Sequence, residues 1–209
     1  MTPTWDILVC SILHRTDMLE ALLDELERQL VPGVGVLVYR DNLECGYGEK
    51  CQALLESSEA DYVSFLDDDD WIEPDFIPTI AAALEEDPDY VGFRVRYTKD
   101  GHPQLPVIHS LQHHGWTDGP DALLRDINHF NPIRRDLALR AVWAGGDGAD
   151  RRWANSLREQ GCVQREVFID REMHHYRNRS HDTFVFSSVQ QPLDTEPERP
   201  AHGFVTWVT

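Results

Sequence analysis

The 209-residue sequence predicts an α/β fold: one domain with a mixed, mainly parallel sheet flanked by helices. Three observations carry that prediction. Short apolar runs alternate with amphipathic helical patterns through the first ninety residues. That order, β-α-β-α-β-α-β, implies parallel strands joined by right-handed crossovers. Polar clusters follow three of the apolar runs, as expected where the strands of an open sheet end at a ligand site.

The elements follow in order. Residues 5–10, WDILVC, read as a buried strand. In DMLEALLDELERQL the apolar Met18, Leu19, Leu22, Leu23, Leu26 and Leu30 form a helical face opposite charged residues. Asp17 suits the N-cap of that helix and VPG ends it. VGVLVY is a second strand, RDNLECGYGEK a glycine-bearing loop, CQALLESSE a helix, and YVSFL a third buried strand ending at Asp67. Pro74 opens a helix through DFIPTIAAALEED. YVGFRVRY then sets Val91, Phe93, Val95 and Tyr97 against Arg94 and Arg96, a half-exposed strand, and KDG turns into QLPVIHS.

The second half is less regular. It holds a His/Gly/Trp loop (HSLQHHGWTDGP), a helix at 120–126, an apolar segment around NPIRRDLAL, a helix on DRRWANSLREQ and a strand on EVFIDREMHHYR. The domain is expected over 1–187. Residues 188–209 read as a polar, proline-containing tail whose last six residues, FVTWVT, are apolar enough to dock.

Composition narrows the function. Hydrophobic residues make up 41% and charged residues 27%, ordinary for a soluble globular chain. A formal net charge of -18 argues against a broad phosphate-binding face for nucleic acid, though a local basic patch stays open. There is no apolar run of the roughly 20 residues a spanning helix needs, and the N-terminus lacks a signal-peptide pattern. Cys10, Cys45, Cys51 and Cys162 show no CxxC pair. The Cys45–Cys51 spacing permits a disulfide, but a reduced cytoplasmic protein is the expectation, as a monomer or homodimer.

The segment FLDDDDWIEPDF, residues 65–76, sets four aspartates behind a buried strand. Neighbouring carboxylates ~5 Å apart repel by about 1–3 kcal/mol per pair. Such a run calls for a counter-charge, and a hard divalent cation with oxygen ligands supplies one while sharing its other positions with substrate phosphates. Ca²⁺ is the competing ion, but the spacing of an EF-hand loop is missing. Ser11–Arg15 and Asp41–Asn42 occupy the equivalent ends of the first and second strands.

DYVSFLDDDDWIEPDFI resembles the strand, D-x-D and W-[IL]-x-P-[DE]-[FL] pattern of the GT-A-fold glycosyltransferases, specifically inverting family 2, and the resemblance extends over about residues 5–185. It implies a Rossmann-like sheet with a nucleotide-sugar half at about 1–100 and an acceptor half at about 101–187. By that likeness Asp69 is the direct ligand of Mn²⁺ or Mg²⁺, Asp67 lies nearer the ribose or sugar of the donor, Asp70 supports them, and Asp68 takes the variable position. Ser11, Arg15, Asp41, Lys50 and Arg177 are expected around the nucleotide and its diphosphate, although the wording around Ser11–Arg15 and Lys50 departs from the family's. AGGDGADRRWANSLREQG resembles the stretch in which the last acid is the catalytic base, which points to Asp150; Asp147 is expected to cap that helix. REMHHYRNRS resembles the later strand whose histidine completes the metal shell. Only one of two adjacent strand residues faces the metal, and the motif favours His175 over His174. Arg179 and His181 follow on a loop suited to closing over diphosphate. Trp116, with His114 and His113, falls on the acceptor side.

The resemblance implies a metal-dependent transfer of sugar from a nucleoside-diphosphate donor, expected to be a UDP-sugar, to an acceptor hydroxyl with inversion. A nucleotidyltransferase, or a non-catalytic module that binds nucleotide sugar or a divalent cation, remains the alternative. The acceptor stays open among glycans, proteins, small molecules and modified nucleic-acid bases.

Overall fold

The first strand sets the architecture. β1 (Trp5–Ile12) is buried at every residue, which requires neighbours on both edges and layers on both faces. The computed structural model, which describes residues 2–179 and 204–208, supplies both. β2 (Val34–Asp41) pairs parallel to one edge of β1, and β3 (Tyr62–Asp67) pairs parallel to the other, with Cys10 opposite Asp67. Alternation along β1 divides the core. Ile7 and Val9 meet α1 (Thr16–Gln29) and α3 (Phe76–Leu84) through Leu22, Leu26, Phe76 and Ile80. Leu8 and Cys10 meet α2 (Tyr47–Ser57) and α5 (Ala149–Gln160) through Leu54, Leu55 and Trp153. Each such buried leucine or phenylalanine contributes about 1.5–3 kcal/mol of transfer free energy.

The parallel run ends beyond β3. A two-residue strand, β10 (Ile133–Arg134), lies antiparallel between β3 and β5 (Tyr90–Lys99), followed by the short α4 (Arg135–Ala138). The far edge of β5 carries β6 (His102–Pro103) and β7 (Val107–His109), and β9 (Leu123–Arg125) and β8 (Thr117–Asp118) extend the sheet outward. The long β11 (Glu166–Asn178) runs parallel to β5 and also pairs with β4 (Trp71–Ile72), with register shifts near Ile169 and Glu172. β12 (Phe204–Val208) pairs antiparallel with β2 and covers that edge.

The mixed, mainly parallel sheet matches the fold class expected. Several local expectations do not. α2 begins at Tyr47, a turn earlier than the apolar pattern implies, because Glu49 accepts a hydrogen bond from the Gly46 amide at 2.8 Å and starts the helix there. Residues 120–126 are not helical: the Leu123 amide bonds Pro106 and Arg125 accepts from Ser110, so sheet pairing claims the backbone. Asp17 lies in the first turn of α1, whose N-cap is Arg15 after a 3-10 turn at Leu13–Arg15. All four cysteines are free thiols. Among the described residues no helix is long and apolar enough to cross a membrane. Most of the tail, with His181, falls outside the described residues.

His109 ties the outer sheet to the centre. Its Nδ1 lies 2.6 Å from Asn131 Oδ1, and the Asn131 amide donates to the Val91 carbonyl. Burial pushes the imidazole pKa down to about 3, so it folds neutral. The unfolded chain then binds the extra proton as pH falls, so the His109 contribution is complete above about 6.5 and is lost toward about 3. Urea unfolding from pH 7 to 4 is expected to show stability falling with pH, and His109→Gln, which keeps a polar partner without the charge, to flatten that slope. An unchanged slope in the variant refutes the assignment.

Candidate active site

The cleft opens at the carboxyl ends of β1 and β3, with a volume of about 870 Å³. It is lined by Ser11 and Arg15 at and after the end of β1 and by Asp67, Asp68 and Asp69 at and after the end of β3. Its opposite wall comes from β5, β9, the 128–130 segment and the loop that starts α5.

The four aspartates have different surroundings. Asp68 is buried and accepts hydrogen bonds from Ser11 Oγ at 2.6 Å and Arg15 Nη1 at 2.8 Å. The aspartate at the variable position is therefore the anchor of the cluster. The same Arg15 nitrogen lies 3.5 Å from Asp69. Asp67 accepts from the Tyr47 hydroxyl at 3.2 Å, and Asp70 accepts from the Arg177 amide at 2.8 Å. Burial first, and neighbouring carboxylates second, push Asp67 and Asp70 well above the ordinary carboxylate range. Arg177 also donates from its guanidinium to the carbonyls of Asp69 and Asp70, and its Cζ lies 5.6 Å from the centre of the Trp71 ring.

The histidine that meets this cluster is His174. Its Nε2 is 2.8 Å from Asp70 Oδ2, whereas His175 bonds Thr98 at 2.9 Å and does not line the cleft. The register shifts along β11 alter which residues face inward, an effect that sequence alternation alone does not carry. Burial lowers the His174 pKa to about 3. Asp70 Oδ2 and His174 Nε2 are both buried, and neither makes a well-aligned hydrogen bond despite their closeness. Carboxylate and imidazole are donor types that suit a divalent ion, but these two atoms contact each other and neither residue lines the cleft, where Asp69 is the carboxylate exposed to a ligand. Among the described residues no group of three or more His, Cys, Asp or Glu side chains is arranged to hold a metal ion. An ion held there fills its shell from elsewhere, as Mg²⁺ does with substrate phosphates.

Asp41 and Lys50 play other parts than the sequence suggests. They form a buried ion pair at 2.8 Å, with Lys50 also donating to the Ser11 carbonyl and Asp41 accepting from the Cys45 amide. Lys50 borders the cleft, but its ammonium is committed; Asp41 does not border it. The early start of α2 is what turns Lys50 inward.

Across the cleft, Asp150 lies in the first turn of α5, half-buried and facing the cavity. The N-cap is Gly148 in a left-handed conformation, rather than Asp147. Trp116 donates its indole N–H to the Ile127 carbonyl, with the Arg125 and Arg151 guanidinium carbons 5.3 and 5.8 Å from its ring centre. His114 is exposed and outside the cleft, while Arg179 lines it. Two residues escape the sequence reading. Tyr47 and His129 lie between Asp67 and Asp150, with the Tyr47 hydroxyl 3.5 Å from His129 Nε2. Burial lowers the His129 pKa to about 4, with the nearby Asp150 charge opposing. An aromatic between two glycines (GYGEK) and a polar Asn-His pair between apolar Ile127 and Phe130 (INHF) were the available signals.

The family model for glycosyl transferase family 2 matches residues 13–143, well over half of the chain. The chain belongs to glycosyl transferase family 2. That match ends before Asp150. Among solved structures, residues 1–349 of S. aureus TarS in complex with UDP-GlcNAc align at 14% identity and TM-score 0.63, over 84% of this chain and 59% of that one. A longer S. aureus TarS chain aligns at 13% identity and TM-score 0.62, so this chain, covered to 83%, spans 36% of it. Glucosyl-3-phosphoglycerate synthase from Mycobacterium tuberculosis, in complex with Mn²⁺, UDP-Glc and phosphoglyceric acid, aligns at 15% identity and TM-score 0.54, over 85% of this chain and 73% of that one. At these identities the likeness is one of fold. A search of curated proteins gave no match.

Lys50→Met leaves Asp41 charged and unpaired in the interior, so a loss of about 3–5 kcal/mol in urea unfolding is expected. Lys50→Met with Asp41→Leu recovers most of it. A lysine that only bound ligand would leave stability unchanged.

Proposed function

We propose that the chain transfers a sugar from a UDP-sugar to an acceptor hydroxyl in a single displacement with inversion. The observation that carries this reading is that Asp69 and Asp150 line one cleft, in a chain of family 2. Solved relatives of the fold carry UDP-GlcNAc, or UDP-Glc with Mn²⁺, which favours the same donor class here.

Asp69, which lines the cleft, would hold a Mn²⁺ or Mg²⁺ ion whose remaining positions the donor diphosphate and water fill. The charge that such an ion supplies when bound offsets the charge that develops on the departing diphosphate. Arg15 and Arg177 add positive charge on the same wall. Asp67, oriented by Tyr47, is placed to accept hydrogen bonds from donor hydroxyls. Asp150 takes the proton of the acceptor hydroxyl as its oxygen attacks. His129 is a poorer base, because its Nδ1 is buried and its Nε2 lies 3.5 Å from the Tyr47 hydroxyl. With Asp150 as the base and no second nucleophile assigned, one attack occurs and configuration inverts.

Incubation with Mn²⁺ and a panel of UDP-sugars is expected to release free UDP, slowly with water and faster with the right acceptor. Asp150→Asn is expected to cut turnover by about 100-fold or more while UDP still binds. Asp69→Ala is expected to abolish the metal dependence of UDP binding, read by calorimetry with and without Mn²⁺. Release of pyrophosphate, or full turnover in either variant, overturns the reading.

A further inference from the structure

The loop at 144–148 turns three carbonyl oxygens onto one side chain. Arg152 donates from Nη2 and Nε to the Ala144 carbonyl at 3.0 and 3.3 Å, from Nη1 to Asp147 at 2.9 Å, and from Nη2 to Gly146 at 3.5 Å. Arg152 belongs to the first turn of α5, so its guanidinium folds back over the segment leading into its own helix. That segment passes through left-handed backbone at Gly145 and Gly148, with φ of +77° and +69°. A Cβ on Gly145 would stand 2.9 Å from Arg152 Nη2, so glycine admits the guanidinium as well as the turn.

The other side of the loop presses on α2. The Gly48 amide donates to the Gly145 carbonyl at 3.3 Å, and a Cβ on Gly48 would stand 2.6 Å from that oxygen. The loop is thus clamped between a guanidinium and the helix that carries Tyr47. Its exposed carbonyls lose little by turning to water, so their convergence depends on the cation. A planar fork reaches three carbonyls at once, which a lysine ammonium does not reproduce. Asp150 follows Gly148 by two residues. Arg152 itself is exposed and does not line the cleft.

We propose that Arg152 is the positioning residue for Asp150: by gathering the 144–148 carbonyls it sets where the carboxylate faces the cleft. This rests on the reading of Asp150 as the base. Misplacement of a reacting group by about 1 Å costs up to ~100-fold in rate.

The test compares Arg152→Ala, Arg152→Lys, Asp150→Asn and the Asp150→Asn/Arg152→Ala double variant in the full chain. Each is measured for UDP affinity with Mn²⁺, turnover of a UDP-sugar, and amide exchange across 144–150. Arg152→Ala is expected to lower kcat about 10- to 100-fold with UDP affinity within twofold, and to speed exchange in the loop. Arg152→Lys does not restore kcat, millimolar guanidinium restores part of it in Arg152→Ala, and the double variant is no slower than Asp150→Asn. Wild-type kcat or unchanged exchange in Arg152→Ala, an equal further loss on the Asp150→Asn background, or a parallel loss of UDP affinity each overturns the proposal. Full turnover in Asp150→Asn instead removes the base assignment, which separates the two failures.

Discussion

Four carboxylates packed behind one buried strand are the constraint on which the rest of this structure depends. Burial and mutual repulsion oppose the ionisation of Asp67, Asp69 and Asp70, so partners must reach the cluster from distant parts of the chain. Ser11 and Arg15 come from the end of β1, Tyr47 from α2, and Arg177 and His174 from the end of β11. Satisfying the aspartates therefore draws the carboxyl ends of three strands to one point. That same point is the floor of the cleft. The stability of the turn and the shape of the site have one cause.

The second organising element is the start of α2. Its first turn touches Asp67 through Tyr47, the β1 and β2 ends through Lys50, and the loop before Asp150 through Gly48. The Tyr47 ring also packs edge-on to Trp143, which stacks on Trp153 of α5. The aspartate cluster and the loop before Asp150 thus meet across one helical turn instead of through a flexible link. A site that joins a leaving group to a nucleophile benefits from such rigidity, since reaction rates depend steeply on the approach of the reacting atoms.

Much of this was legible in the chain. The three parallel strands, the helices between them and the aspartate cluster at a strand end follow from apolar periodicity and from where polarity interrupts it. Family membership was legible too, because FLDDDDWIEPDF places its residue types at fixed spacing along one strand and turn. The outer strands were harder to read. Residues 123–125 are three long and partly buried, and only pairing with β7 and β8 makes them a strand.

By itself, then, the sequence determined the layer order, the strand that carries the aspartates and the family, all properties of local pattern. Tertiary structure alone decided that His174 and not His175 turns toward Asp70, because register shifts in β11 reassign its faces. It decided that Asp68 is an anchor, that Lys50 is spent on Asp41, and that Arg152 closes over the loop before Asp150. Each of these depends on which groups lie across space from a side chain. Spacing along the chain carries no record of that.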